Sequence, residues 1–261
     1  MAVAARTDLA FQQCIAPACG ATFSIDEVLT SCPVCGNLLD VTYDWDRLPG
    51  PGSFELFERK WMRRSDPLAL SGVWRFHELL PFAPRESVVT IGEGQTLLSV
   101  SDGVGRYIGM NAGQLHLQYE GLNPSGSFKD FALQLFPYIL RGCQTGDVVP
   151  PTLILAATSG DTGGALLSGL DNANLDGMYG IVLMPAEGTS EIQKRQMLSF
   201  NSNPNISVLQ IDSDFDYCQK IVKRMLTENT NYFAAELFML LRSVHVFKPI
   251  ATIIKVHFLW V

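Results

Sequence analysis

Asn123-Pro124-Ser125-Gly126-Ser127-Phe128-Lys129-Asp130 decides how this chain reads. A strand-like run, 115–120, leads into it, and a helix-like run, 128–141, leads out. The octet is then a tight turn that sets one lysine at the start of a helix. Partial desolvation and the positive end of the helix dipole both favour a neutral amine there, the form that acts as a nucleophile or forms a Schiff base. Taken alone, the same residues also describe a capped helix start carrying a surface lysine.

A second element follows, Ser159-Gly160-Asp161-Thr162-Gly163-Gly164. The apolar run 152–157 before it reads as a buried strand, and residues 165–167 open a helix. A glycine-rich strand-to-helix turn presents backbone N–H groups at a helix N-terminus, which suits an anion or a cofactor. Glycine also lets backbone approach a ligand closely. An ordinary βα turn is the plain alternative. The loop lacks the Gly-Lys-Ser/Thr ending of a phosphate-binding P-loop, and it does not match the dinucleotide pattern G-x-G-x-x-G.

Together the two elements resemble the threonine synthases, pyridoxal phosphate enzymes of the tryptophan-synthase-like group, fold type II. Further segments follow in that family's order: Gly72-Val73-Trp74-Arg75-Phe76, Gly92-Glu93-Gly94-Gln95-Thr96, Leu183-Met184-Pro185 and Ser190-Glu191-Ile192-Gln193-Lys194-Arg195-Gln196-Met197. The resemblance covers about residues 12–228. It implies that Lys129 carries pyridoxal 5'-phosphate as a Schiff base. It also implies that Ser159, Gly160, Asp161, Thr162 and Gly163 run beside the cofactor ring, with Asp161 near the ring's 3-hydroxyl. The implied reaction converts O-phosphohomoserine and water to threonine and phosphate, with freed Lys129 moving protons. Asn123, Ser125 and Ser127 are the candidate substrate contacts, and Lys194 and Arg195 are either added positive charge or exposed helix residues.

The chain departs from the family in two places. Leu97 follows Gly94-Gln95-Thr96 where members often have proline. After Asn229 there is no Gly/Asn-rich loop to hold the cofactor phosphate and no residue to face the pyridine nitrogen. Residues 244–261 resemble no part of the family. The expectation is an N-terminal part of a threonine synthase, truncated at its C-terminal side, with little activity of its own.

The whole chain has 261 residues and is 47% hydrophobic and 17% charged, which supports a packed core. A net charge of −7 argues against a nucleic-acid partner. Residues 1–8 lack the apolar core of a signal peptide, and the apolar final stretch, broken by Lys248, Pro249 and Lys255, falls short of a membrane span. The expected location is cytoplasmic.

Of six cysteines, Cys14, Cys19, Cys32 and Cys35 crowd the first segment. Two close pairs are the spacing of two knuckles that share a tetrahedral Zn²⁺, with Gly20 and Gly36 placed for positive φ. Disulfides are the alternative, disfavoured in a reducing compartment. A zinc ribbon could bind nucleic acid, but residues 11–46 hold almost no basic side chains, so the site reads as structural. Some threonine synthases begin with a similar Cys-rich segment. Cys143 and Cys218 read as buried helix residues, and His77, His116, His245 and His257 form no catalytic or metal constellation.

Residues 46–53 read as a linker rich in Pro and Gly, followed by short helices over 54–64 and 74–80. From 115 onward, strand-like runs (115–119, 152–157, 180–184, 206–210) alternate with helix-like runs (128–141, 162–171, 190–198, 215–227). That alternation predicts an α/β fold, a parallel sheet with flanking helices built from right-handed βαβ units. Both key turns would then lie at carboxyl ends of parallel strands. The expected division is a zinc-ribbon-like segment, 1–46, an incomplete tryptophan synthase beta subunit-like core, 47–228, and an atypical end, 229–261. Three function classes stay open: an active enzyme completed by oligomerisation, such as a homodimer; a non-catalytic remnant that keeps the pocket; and a zinc-ribbon interaction module.

Overall fold

Residues Ala10–Cys14 (β1) and Leu39–Tyr43 (β3) alternate buried and half-buried side chains, the pattern of strands with one face on a core. The computed structural model describes residues 7–25, 27, 29, 31–48, 53, 55–63, 65–80, 88–133, 151–174, 176–229 and 232–235. With Thr22–Ser24 (β2), β1 and β3 form an antiparallel sheet in the order β2-β1-β3. Leu9, Ala10, Ile25, Val41, Tyr43 and Leu48 pack one small core, and Cys14, Cys32 and Leu39 pack another. Gln12 is buried among them because its amide donates to the carbonyls of Ser24 (2.7 Å) and Glu27 (2.8 Å).

Helices Glu55–Trp61 (α1) and Pro67–Leu70 (α2) follow, the latter capped by Asp66 with proline in its first turn. A 3-10 helix, Trp74–Leu79, joins Phe76 and Leu79 to Phe57 of α1 in a third cluster. Leu97–Val100 (β4), the short helix Asp102–Tyr107 (α3) and His116–Tyr119 (β5) come next, and then Lys129–Leu133 (α4).

The main sheet is parallel, in the order β8-β7-β6-β9, from Thr152–Ala157 (β6), Met178–Pro185 (β7), Ile206–Ile211 (β8) and Tyr232–Ala234 (β9). Helices Asp161–Ala173 (α5), Glu191–Leu198 (α6) and Phe215–Glu228 (α7) link its strands. Strand residues of opposite parity face opposite helices. Ile154, Ala156, Val182 and Met184 pack with Ala165, Leu166, Leu167 and Met197, whereas Leu155, Ala157 and Leu183 pack with Cys218 and Val222. Both faces are therefore covered, which explains the continuous apolar runs of β6 and β7. The strand order reverses at β6, whose later neighbours β7 and β9 lie on opposite sides. The carboxyl ends of β6 and β9 flank the crevice where open α/β sheets place ligands.

Three expectations change. Residues 116–119 do not join the parallel sheet; they pair antiparallel with β4 in a separate two-stranded ribbon, exposed along all of both strands. Only the glycine-rich loop follows a parallel strand, and the lysine turn does not. Helix α4 begins at Lys129 as the turn requires, and residues 134–150, with Cys143, lie outside the described residues, as do His245 and His257. The boundary expected at residue 228 falls before β9, which pairs with β6, so the parallel sheet reaches Ala234.

One backbone crossing fixes how the segment before β4 meets α4. A Cβ on Gly72 would lie 2.6 Å from Phe131 Cε1 and 2.8 Å from Gly94 Cα. Gly94 has φ +83°, and a Cβ there would lie 2.5 Å from Gly72 Cα. Neither position has room for a side chain. Gly94→Ala should cost about 2–5 kcal/mol, combining left-handed strain with overpacking. Gly103→Ala in α3, where a Cβ meets nothing within 4 Å, should be neutral or stabilise by up to about 1 kcal/mol. Urea unfolding of the two variants measures the contrast.

Candidate functional site

The lysine turn is held by its own polar residues. Asn123 is buried; its Oδ1 accepts from Gly94 N (2.8 Å), and its Nδ2 donates to Glu120 O (2.8 Å) and Glu120 Oε2 (2.7 Å). The amide of Asn123 thus braces the turn from within the protein. Gly126 takes φ +82° and donates its N–H to Asn123 O (2.7 Å). Buried Ser127 accepts from Lys129 N (3.3 Å), and fully buried Asp130 accepts from Ser125 N (2.8 Å). Lys129 itself is half-buried, its Nζ 4.3 Å from the centre of the Phe128 ring. Among the described residues, Asp130 Oδ1 and Ser125 Oγ are buried without hydrogen-bond partners. Burial raises the Asp130 carboxyl above the usual carboxylate range.

Glu93 anchors the neighbouring turn and was assigned no role by its sequence. It is fully buried, and its carboxylate accepts from Ser71 Oγ, from Thr90 Oγ1 (2.7 Å) and from Ile91 N (3.3 Å). Burial raises its pKa against those hydrogen bonds. Because the next residue, Gly94, donates to Asn123, Glu93 ties residues 71–74 to the lysine turn.

The glycine-rich loop leaves the carboxyl end of β6. Thr158 organises it: its Oγ1 donates to Gly160 O (3.0 Å) and accepts from Gly160 N (3.1 Å) and Gly163 N (3.3 Å). Ser159 and Asp161 are exposed, and Thr162 is half-buried in the first turn of α5. The glycines have a reason that local sequence does not show. A Cβ on Gly163 would lie 2.5 Å from both Met197 Sδ and Thr158 Cγ2. On Gly160 it would lie 3.0 Å from Gln193 Nε2, and on Gly164 3.1 Å from the Gln196 amide. Gly163 therefore has no room for a Cβ, and at Gly160 and Gly164 a Cβ would press on the glutamine amides of α6.

Helix α6 joins the two elements. Gln196 Nε2 donates to Ser125 O (2.7 Å), and Gln193 Nε2 donates to Asp161 Oδ1 (2.7 Å). Lys194 on the same helix donates to Ala186 O and Glu191 Oε1, both at 3.2 Å, and Arg195 is exposed. The lysine turn and the glycine loop are therefore brought together. The pairing combines an amine, a carboxylate and the N–H groups of a helix start, a set able to hold an anionic carbonyl cofactor.

A separate cluster lies in the small N-terminal sheet. The sulfurs of Cys14, Cys19, Cys32 and Cys35 lie within 4.8 Å of one another and could hold a metal ion. Cys14 and Cys35 are 3.4 Å apart, and Cys19 and Cys32 are 3.8 Å apart. Tetrahedral thiolate zinc at about 2.3 Å needs sulfur–sulfur edges of about 3.8 Å. Gly20 (φ +56°) and Gly36 (φ +74°) turn the two knuckles. A hydrogen bond from the Asn37 side chain lowers Cys35 to about 6, while burial pushes Cys14 up to about 12. None of the four is in a disulfide, and neither is Cys218, buried on α7.

Residues 89–253 match the family model described as pyridoxal-phosphate dependent enzyme. The threonine synthase of Methanocaldococcus jannaschii is 28% identical over 91% of this chain and 50% of its own length. Human threonine synthase-like 1 is 36% identical over 47% of this chain and 17% of its own length. The crystal structure of Escherichia coli threonine synthase superposes with a TM-score of 0.56 and 21% identity, over 90% of this chain and 51% of that one. The chain thus spans about half, or less, of the relatives it matches. Among the described residues, no helix is long and apolar enough to cross a membrane.

The buried carboxyl of Glu93 generates a pH dependence. A carboxyl whose pKa rises on folding stabilises the fold below the ordinary glutamate value, near about 4.3, and that contribution is lost as pH climbs through the raised value. Glu93→Gln removes the titration. Its stability relative to wild type should therefore improve steadily from about pH 4 upward until Glu93 is fully ionised. Urea midpoints for both proteins across that range measure the difference, and parallel curves would contradict it.

Proposed function

The chain belongs to the family of pyridoxal-phosphate dependent enzymes, and from that membership we propose that it works as a threonine synthase-like lyase on O-phosphohomoserine. The observation that supports this most is the joining of the lysine turn to the glycine loop through Gln196. The similar proteins of Methanocaldococcus jannaschii and Escherichia coli carry the name threonine synthase. When bound, the cofactor supplies an electron sink that loosens bonds around the substrate's amino carbon.

Each residue has a role in this reading. Lys129 Nζ is the amine that would hold the cofactor, and as a free amine it would take up and return protons. Its half-buried position beside the Phe128 ring limits water around that nitrogen. Ser159, Gly160, Asp161, Thr162 and Gly163 would hold the cofactor, with the Asp161 carboxylate steadied by Gln193. The N–H groups that open α5 add a positive field for anionic groups. Ser125 and Ser127 supply hydroxyls toward substrate, with the unpartnered Ser125 Oγ the better placed. Asn123 serves as the brace that holds them. In the overall reaction the γ-carbon–oxygen bond breaks and phosphate leaves with one proton of the water; the hydroxyl of that water joins the β-carbon, and the proton that the β-carbon gives up is made good at the γ-carbon, which becomes the methyl group.

The Cys14, Cys19, Cys32 and Cys35 site belongs to the same proposal as structural Zn²⁺. Four protein thiolates leave no open position for substrate. The small sheet around it is the zinc-ribbon-like segment.

Borohydride reduction in the presence of pyridoxal phosphate, followed by peptide mapping, should mark Lys129. Lys129→Ala should abolish the mark and the visible absorbance of lysine-bound cofactor, while labelling at Lys194 would contradict the assignment. Metal analysis should find about one zinc per chain, since the four thiolates complete one tetrahedral site. The Cys32→Ser, Cys35→Ser double variant should lose it; a metal-free wild type with an intact fold would argue against the zinc.

A further inference from the structure

We propose that Gln193 and Gln196 are positioning residues, a two-point spacer that sets the separation of the lysine turn from the glycine loop, and that Gly160 and Gly164 are glycines because these two amides occupy the space of their side chains. The inference rests on the functional reading only for what the spacing serves. The spacing itself stands on contacts.

The two glutamines lie three residues apart, so α6 presents both on one side. Each meets an acceptor that fixes its orientation. Gln196 Nε2 reaches the Ser125 carbonyl at 2.7 Å, and Gln193 Nε2 reaches the Asp161 carboxylate at 2.7 Å. Both acceptors are oxygens, to which each glutamine offers its NH₂ side. Ser190 reinforces one of them: its hydroxyl donates to Gln193 Oε1 (2.9 Å) while accepting from Gln193 N (3.3 Å) as the helix cap. The cap thereby aims the Gln193 amide at Asp161.

Ser125 is held from both sides. Its N–H donates to Asp130 Oδ2 (2.8 Å), and its carbonyl accepts from Gln196. Lys129 lies between these two anchors in the same turn. At the other end, the Gln196 amide lies against Gly164 in the first turns of α5, where an added Cβ would stand 3.1 Å from Gln196 Cδ and Oε1. The Gln193 amide lies likewise against Gly160, at 3.0 Å. An alanine at either position forces the amide aside and lengthens its bond. Gly164 is not at positive φ, so space and not backbone conformation excludes a side chain there.

The test uses the full chain, first without cofactor. Hydrogen exchange followed by mass spectrometry should show the amides of 125–130 exchanging about 2- to 10-fold faster in Gln196→Glu, the range one neutral hydrogen bond commands. Glutamate keeps the shape and removes the donor, so a merely space-filling role predicts no change. Gly164→Ala should produce the same local loss, and in a Gln196→Ala background it should add none, because the colliding amide is gone. Amides of β1 and β7 serve as unaffected controls. Pyridoxal phosphate is then titrated: Gln196→Glu should weaken uptake about 10-fold while borohydride still marks Lys129, a shift of about 1.4 kcal/mol. Unchanged exchange and unchanged uptake in Gln196→Glu would overturn the spacer. Faster exchange in a protein whose wild type takes up no cofactor would support the spacer and overturn the functional reading instead.

Discussion

The hydrogen bond from Gln196 to the Ser125 carbonyl joins residues 71 positions apart in sequence. It ties the lysine turn to the helix that also braces the glycine loop. The lysine turn lies at the end of an antiparallel ribbon, and the glycine loop lies at the end of a parallel strand. No shared sheet brings them together. Helix α4 packs directly against α5, and α6 bridges the two, seated on the sheet by Met197, which is fully buried with Val182 and residues of α5. A short helix with one buried methionine and two outward amides can fix a distance because its backbone is rigid and its side chains are each committed to one partner.

Buried carboxyls show what this arrangement demands. Glu93 and Asp130 are both fully buried and both raised by desolvation. Glu93 is satisfied by two hydroxyls and a backbone N–H, and it knits three turns together. Asp130 accepts from the Ser125 N–H, and the Ser125 side chain beside it works against the rise that burial causes; among the described residues its Oδ1 has no close partner. Unsatisfied buried polar atoms are uncommon in folded proteins, and a bound water, an ion or a catalytic role is among the reasons for them. Their place within five residues of Lys129 fits a turn shaped for a guest.

Much of this was legible in the amino-acid sequence, and the limits have physical causes. The run 152–157 followed by glycines and a helix is a local pattern, and β6, the loop and α5 follow it closely. Four cysteines in two pairs with following glycines needed no partner elsewhere to be read. Residues 115–119 misled because alternation and β-propensity mark a strand without naming its neighbour; the antiparallel partner, β4, is set by tertiary packing. The glycines after Ser159 were read for ligand approach, whereas three of them also lie against Gln193, Gln196 and Met197, some thirty residues on. Glu93 was legible only as part of the family-like segment from Gly92 to Thr96; its burial against Ser71, Thr90 and Ile91 is set by tertiary packing. Asn123 read as a turn former or a substrate contact, and only the structure shows its amide committed to Gly94 and Glu120.

The central claim is that the lysine turn and the glycine loop form the two walls of one cofactor site. A crystal structure of the chain grown with pyridoxal phosphate tests it most directly. The account predicts continuous density from Lys129 Nζ into the cofactor, with the ring lying against residues 159–163. Cofactor density attached to any other lysine, or lying away from the glycine loop, would contradict it.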